Sequence, residues 1–290
     1  MNRIASCLQQ ANQRLRAHTE TPYLDAQVLL AHILGEPRAW VLAHPEIELS
    51  HAQSLALEQS LGQLETGEPL PYVLGHWEFF GLDFELSPAT LIPRPETELL
   101  VEQALAWLRL HPGPRKAADV GAGSGCIAVS LAVHTPNLVV LATDLSPEAL
   151  EVAGRNSRRH AVAERVALAQ CDLLPKGEVD FDLICANLPY IPTATLRELE
   201  VYEKEPTLAL DGGEDGLDVI RRLLKLAPVA LAPGGLLLVE IEATQGEAAR
   251  RLAQEALPDA EVRLIQDLAG RDRLVRVERR PTGSDPGRGP

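Results

Sequence analysis

Two periods of apolar residues run along this chain, and the change from one to the other divides it. From Ile4 to about Leu70 the spacing is helical throughout. The run from Tyr23 to Gly35 places its apolar residues at helical intervals and stops on a glycine, a common helix end. A second amphipathic run covers Ala52 to Leu64. His32, His44 and His51 are scattered singly through this region and read as surface or packing residues rather than ligands. Between Tyr72 and Leu86 the character changes. Trp77, Phe79, Phe80, Phe84 and Leu86 crowd around Gly81-Leu82-Asp83, which predicts a β-hairpin joining two domains.

After the hairpin, short apolar runs alternate with helical ones. Pro93 and Pro95 hold an extended loop, and a helix begins at Glu96 and runs to Leu110. A strand then enters the glycine-rich Asp119-Val120-Gly121-Ala122-Gly123-Ser124-Gly125, and a helix from Cys126 to Val133 leaves it. Leu138 to Asp144 is the next strand, followed by Ser146 as N-cap and Pro147 as first residue of another helix. Val166 to Asp172 is a third strand. Phe181 to Ala186 is a fourth, apolar enough to be covered on both faces. A long irregular segment, Ile191 to Asp215, has the length of a lid or substrate-binding element. Then come a helix from Leu217 to Leu231, a turn at Pro233-Gly234-Gly235, a strand from Leu236 to Ile241 and a helix from Thr244 to Leu257. Val262 to Asp267 and Arg273 to Glu278 close the pattern as a pair of strands. The alternation predicts an α/β domain with a mostly parallel sheet. The boundaries read as a helical domain over 1–71, a hairpin linker over 72–90, an α/β domain over 91–280 and a disordered Gly/Pro-rich tail over 281–290.

Composition narrows the classes. The 290 residues are 46% apolar and 23% charged, ordinary for a soluble globular protein. No stretch approaches the roughly 20 apolar residues that span a bilayer, and Met1 to Cys7 has no secretory h-region. Cys7, Cys126, Cys171 and Cys185 show no CxxC pairing and read as small thiols in a reducing cytoplasm, not as disulfides or a metal site. The net charge of -14 counts against direct nucleic-acid binding and fits a basic macromolecular partner or a protein substrate better.

The candidate chemistry collects where strands end, because open α/β sheets bind ligands beyond their carboxyl ends. Asn187-Leu188-Pro189-Tyr190 follows the fourth strand directly, a rigid polar corner after a buried run. An Asn at a strand end is by itself more often a turn former than a site residue; the rest of the chain shifts the balance. The glycine loop carries glycine at its first, third and fifth places, where a dinucleotide fingerprint wants the sixth. Gly121, Ala122, Gly123, Ser124 and Gly125 therefore match the loop that nucleoside-binding methyltransferases use for S-adenosylmethionine. Asp144 could simply close a turn; with that loop upstream it reads as the carboxylate for ribose hydroxyls. Asp172 and Leu173 would lie beside an adenine ring. Arg94, between two prolines, is set in a stiff frame that suits a fixed contact.

With these pieces in place the chain resembles the HemK-type release-factor glutamine N5-methyltransferases over nearly its whole length. The most specific pieces are Leu91-Ile92-Pro93-Arg94-Pro95-Glu96-Thr97-Glu98, the glycine loop, Asn187-Leu188-Pro189-Tyr190 and Asp267-Leu268-Ala269-Gly270-Arg271-Asp272-Arg273. The resemblance implies a Rossmann-like class I S-adenosylmethionine-dependent methyltransferase domain behind a small helical domain and a connecting hairpin. It implies a cytoplasmic enzyme that methylates the side-chain amide nitrogen of the Gly-Gly-Gln glutamine in peptide-chain release factors, with the helical domain helping to hold them. By the same resemblance the Asn187 oxygen and the Leu188 carbonyl would accept the two amide N–H groups. Pro189 and Tyr190 would form a wall, with Arg94 and Glu98 in support. The family usually has Asn-Pro-Pro-Tyr; leucine at the second place keeps the carbonyl acceptor and gives up some rigidity, so activity is expected to persist. Two alternatives stay open: a glutamine in a ribosomal protein, and the N6 amino group of adenine in nucleic acid.

Overall fold

The computed structural model describes residues 3–175, 177 and 180–281, and the chain divides between His76 and Trp77 into two compact units. The first unit is helical: α1 (Ile4–Leu15), α2 (Pro22–Leu34), α3 (Arg38–Ala43), α4 (His51–Glu65) and α5 (Leu70–Leu74). Local signals set the ends. Pro22 opens α2 and Gly35, at φ 69°, closes it in the left-handed region. Ser50 and Gln53 cap α4 reciprocally through side chain and backbone. Ile4, Leu15, Leu29, Leu30 and Leu61 form the buried interior of this unit.

Two expectations for the hairpin region need correction. Tyr72 to Leu74 are helical, because Pro71 starts α5 and Gly75, at φ 74°, stops it. Strands β1 (His76–Phe79) and β2 (Leu82–Glu85) turn at Phe80-Gly81, not at Gly81-Leu82-Asp83. Both turn residues have positive φ, 54° and 73°, as a tight two-residue hairpin loop demands. The unit boundary thus falls inside the expected 72–90 linker, and from Trp77 the hairpin packs with the second unit. Phe79 and Phe84 are buried in the same core as Trp107 and Leu131.

The second unit contains α6 (Pro95–Leu110), β3 (Arg115–Val120), α7 (Cys126–His134), β4 (Leu138–Asp144), α8 (Pro147–Arg159), β5 (Val166–Gln170), β6 (Phe181–Ala186), α9 (Thr193–Leu196), α10 (Asp218–Ala230), β7 (Leu231–Glu240), α11 (Gly246–Ala256), β8 (Ala260–Gln266) and β9 (Asp272–Arg279). The sheet order is β5-β4-β3-β6-β7-β9-β8. Strands β3 to β7 pair in parallel, and β9 pairs antiparallel with both β7 and β8. Leu183 and Cys185 of β6 face one core with α6 and α7, while Ile184 and Ala186 face the other with α10 and α11. Burial on both faces explains why β6 reads as an unbroken apolar run.

The sequence places a turn at Pro233-Gly234-Gly235, but β7 continues through it as a bulge: Phe181 pairs with Leu231 and Leu183 with Leu236. Gly235 is needed there, since an added Cβ would come within 2.8 Å of the Ala232 carbonyl oxygen. The third strand of the α/β domain ends at Gln170, short of Asp172. All four cysteines are free. Among the described residues no helix is long and apolar enough to cross a membrane. The expected disordered tail lies outside the described residues apart from Pro281.

Candidate active site

The sheet is wound outward in both directions from β3: β4 and β5 follow on one side, β6 and β7 on the other. The switch point lies between β3 and β6, the place where such sheets leave a crevice. Register makes this concrete. Val120 pairs with Ala186, so Gly121 and Asn187 emerge side by side. Ala186 pairs with Val239, so Glu240 is level with Asn187 one strand further on.

The glycine loop is folded tightly against β4. The N–H groups of Gly121 and Ala122 both donate to the Thr143 carbonyl at 2.9 Å. Gly125, at φ 79°, caps α7, and a Cβ there would sit 3.0 Å from Ala153 Cβ. Asp144 is oriented from two directions: Oδ2 accepts from Gly123 N–H and Oδ1 from Ser146 N–H, each at 2.9 Å. Ser146 in turn caps α8, accepting from Ala149 N–H. Behind the loop, Asp119 is fully buried. Its Oδ2 accepts from Ala128 N–H at 2.9 Å, Oδ1 has no partner, and burial pushes the carboxyl up to about 7.

These ends enclose a cavity of about 420 Å³. Gly121, Ala122, Gly123, Ser124, Asp144, Asp172, Leu173, Asn187, Leu188 and Pro189 all line it, so most of the residues singled out from sequence converge. Leu173, at φ 65°, is carried inward by a left-handed residue just beyond β5. Asp172 is ion-paired with Arg222 of α10, a partner the sequence did not indicate.

Four of the residues singled out from sequence do not line the cavity. Gly125 serves the helix start. Tyr190 donates its phenol proton to Glu240 Oε1 at 3.3 Å. Glu98 faces the hairpin, where it accepts from Phe80 N–H at 2.9 Å; one residue earlier on α6, Thr97 faces the cavity instead. Arg94 is ion-paired with Glu205, whose other oxygen accepts from Ile92 N–H at 3.0 Å. The long irregular segment is therefore latched to the Pro-Arg-Pro loop, and its Pro206, Leu208 and Ala209 complete the cavity wall. Gly216 is essential to that segment's path: a Cβ there would lie 2.2 Å from the Tyr190 carbonyl oxygen.

Asn187 donates from Nδ2 to Thr97 Oγ1 at 3.0 Å. Its Oδ1 makes no hydrogen bond among the described residues, so the amide presents an acceptor. Glu240 is 1% exposed, and burial pushes its carboxyl up to about 7. Burial also pushes the Tyr190 phenol up, with the Glu240 carboxyl adding to the effect. Arg273 is anchored by Asp267 at 3.0 Å. The Asp267 carboxyl is held low, first by the Arg271 N–H and then by Arg273. Thr97, Glu205 and Glu240 were missed as site residues. Thr97 stood inside the singled-out Pro-Arg-Pro-Glu-Thr-Glu segment. Glu240 gave the signal already used for Asp144, an acid at the end of an apolar strand.

Residues 6–75 match the model of the PrmC N-terminal domain, and residues 96–201 match that of the methyltransferase small domain. The chain is 44% identical over 281 residues to the release factor glutamine methyltransferase of Moorella thermoacetica, covering 96% of this chain and 99% of that one. It is 33% identical to the release factor-specific protein-(glutamine-N5) methyltransferase of Alicyclobacillus acidocaldarius, whose crystal structure covers 68% of this chain and 100% of its own, with a TM-score of 0.43. The T. thermophilus 16S rRNA methyltransferase RsmC, solved with AdoMet and guanosine, is 17% identical with a TM-score of 0.51, covering 71% of this chain and 50% of that one; that likeness is one of fold.

Proposed function

The chain belongs to the release factor glutamine methyltransferase family, and on that premise we propose that it transfers a methyl group from S-adenosylmethionine to the side-chain amide nitrogen of the glutamine in the Gly-Gly-Gln loop of peptide-chain release factors. The single observation that carries this reading is the orientation of Asn187. Its nitrogen is spent on Thr97 and its oxygen is left as an acceptor at the cavity, which is what an N–H donor substrate requires.

The cavity suits the methyl donor. Its volume falls in the range of roughly 300–1,000 Å³ common for small-molecule sites. Nothing stands within 4 Å of a Cβ built on Gly123, so the loop is open there. Asp144 is a carboxylate with both oxygens oriented by backbone N–H groups, suited to ribose hydroxyls, and Leu173 offers an apolar surface for a base. When bound, S-adenosylmethionine supplies a sulfonium-activated methyl group.

The protein's own task is then orientation. An amide nitrogen is a weak nucleophile because its lone pair is delocalised, and it is too weak an acid for a side chain to deprotonate first. The Asn187 oxygen and the Leu188 carbonyl would each accept one N–H and aim the nitrogen along the transfer line. As positive charge grows on nitrogen both acceptors bind more strongly, so they favour the transition state over the ground state. Pro189 walls the substrate's aliphatic part, and Tyr190, held by Glu240, fixes the end of the corner. The proton leaves to water after transfer. The test is to incubate the protein with S-adenosylmethionine and purified release factor and map the methyl by peptide fragmentation, with the target glutamine replaced by alanine as control. A methyl on the amide nitrogen of the wild-type factor and none on the control is the expected result. Methylation elsewhere, or on both, would overturn the reading.

A further inference from the structure

Among the described residues four carboxylates line the cavity: Asp144, Glu148, Asp172 and Asp211. Asp144 is held by two backbone N–H groups. Glu148 accepts from Ser146 Oγ at 3.0 Å. Asp211 accepts from Thr193 Oγ1 at 2.6 Å and from Gly213 N–H at 3.0 Å. Asp172 is held differently. Its Oδ2 accepts from Nη2 of Arg222, which reaches it from α10, and its Oδ1 makes no hydrogen bond among the described residues. Helix geometry places Arg222 for this. It stands three residues after Val219, on the same face, and both line the cavity. Leu223 and Leu224, next along the helix, are buried against the sheet and fix its base. Arg221 goes elsewhere, to Asp215 and Asp218 around the helix start. Of two adjacent arginines, one is spent on the helix end and the other on the cavity.

We propose that Arg222 is a positioning residue that sets the preference for an adenine base: it takes one oxygen of Asp172 and holds the other as an acceptor for the exocyclic amino group. The inference rests on the methyl-donor reading above, in which the base lies against Leu173, the chain neighbour of Asp172. The reason is directional. An ionised carboxylate accepts and cannot donate. It favours a base that offers N–H groups and rejects one that lacks them, because the carboxylate is then left without its partner. That discrimination needs the carboxylate in place. No backbone N–H holds Asp172 as two hold Asp144, so without Arg222 its side chain would turn among rotamers. Anchoring one oxygen removes that freedom and aims the other. Both side chains are about half exposed, a setting in which an ion pair adds little to folding. The consequence of the pair is therefore at the cavity, not in the stability of the fold.

The experiment compares two ligands by titration calorimetry: S-adenosylhomocysteine, the demethylated form of the methyl donor, and its 6-deamino analogue, in which hydrogen replaces the amino group of the base. Wild-type protein should bind the first on the order of tenfold or more tightly than the second, the scale of a hydrogen bond to a charged group. Arg222→Leu should reduce that preference to a few-fold or less, while the deamino analogue binds with near wild-type affinity. In an Asp172→Ala background Arg222→Leu should leave the preference unchanged, because it acts through Asp172. The proposal is overturned by a wild-type preference of only a few-fold, by an Arg222→Leu protein that loses affinity for both ligands alike, or by an equal change of preference in the Asp172→Ala background. Wild-type protein that binds neither ligand would instead overturn the methyl-donor reading, so the two failures are distinguishable.

Discussion

The Leu188 side chain covers the backbone of Gly121: its Cδ2 lies 3.1 Å from where a Cβ on that glycine would stand. The leucine that replaces the family's usual proline is thus packed against the first residue of the glycine loop, and it is only 3% exposed. Two constraints act on Gly121 at once, a φ of 74° and this contact. Gly121→Ala should therefore weaken cofactor binding on the order of tenfold or more, since strain at such a position costs about 1–3 kcal/mol. Leu188→Pro keeps the carbonyl and removes the packing, so it should leave kcat within a few-fold of wild type. Titration calorimetry with S-adenosylmethionine, alongside transfer kinetics, checks both; a silent Gly121→Ala would remove the loop from the site.

Glu205 links the irregular segment to the Pro-Arg-Pro loop through Arg94 and the Ile92 N–H. Its neighbours Pro206, Leu208 and Ala209 wall the cavity. Glu205→Ala leaves the Ile92 N–H without a partner and frees the segment, so the KM for S-adenosylmethionine should rise several-fold. Arg94→Lys, which gives up the planar fork, should show a smaller change in the same direction. Limited proteolysis within 197–215 is the independent readout, with faster cleavage expected for Glu205→Ala.

Glu98 offers the contrasting case. It was expected in a supporting shell, yet it holds the hairpin through Phe80 N–H at 2.9 Å. Glu98→Ala should lower stability by about 1 kcal/mol and leave kcat unchanged in the folded enzyme. A thermal melt paired with steady-state kinetics decides it; a large fall in kcat with Tm intact would return Glu98 to the site.

Acid titration should carry a recognisable signature. Asp119 and Glu240 have ordinary values of 3.8 and 4.5, and burial raises each to about 7 in the folded protein. Between those limits the folded state holds protons that the unfolded state releases. The stability these two groups contribute is therefore complete below about 4 and is lost as pH rises through about 7. Asp119→Asn and Glu240→Gln should each flatten that decline. Denaturant unfolding of the full chain at about pH 5 and about pH 8 measures it; an unaltered slope in both variants would contradict the burial argument.

The architecture was legible because its signals are local. The helix end at Gly35, the N-cap at Ser146, and the two-sided burial of Phe181 to Ala186 all come from short-range chemistry. The errors were of two kinds. Phe80 in a left-handed turn and the bulge at Pro233-Gly234-Gly235 are choices of pairing register, which depend on a partner strand. The cavity wall was largely readable because its residues follow strand ends. What escaped was whatever reaches across the sequence: Glu205 to Ile92, Asp172 to Arg222, and Asn187 to Thr97. A helix also separates neighbours by about 100° per residue, so Thr97 and Glu98 part company, and only the fold tells which of them meets Asn187.

The central claim is that Asn187 acts on the substrate amide and not on the cofactor. The direct measurement is kcat for release-factor methylation by Asn187→Ala, set beside its Kd for S-adenosylmethionine from titration calorimetry. The claim requires kcat to fall by about two orders of magnitude or more, the scale of a lost transition-state acceptor, with Kd changed no more than a few-fold. A Kd that weakens in proportion to kcat, or a kcat that holds, would contradict it.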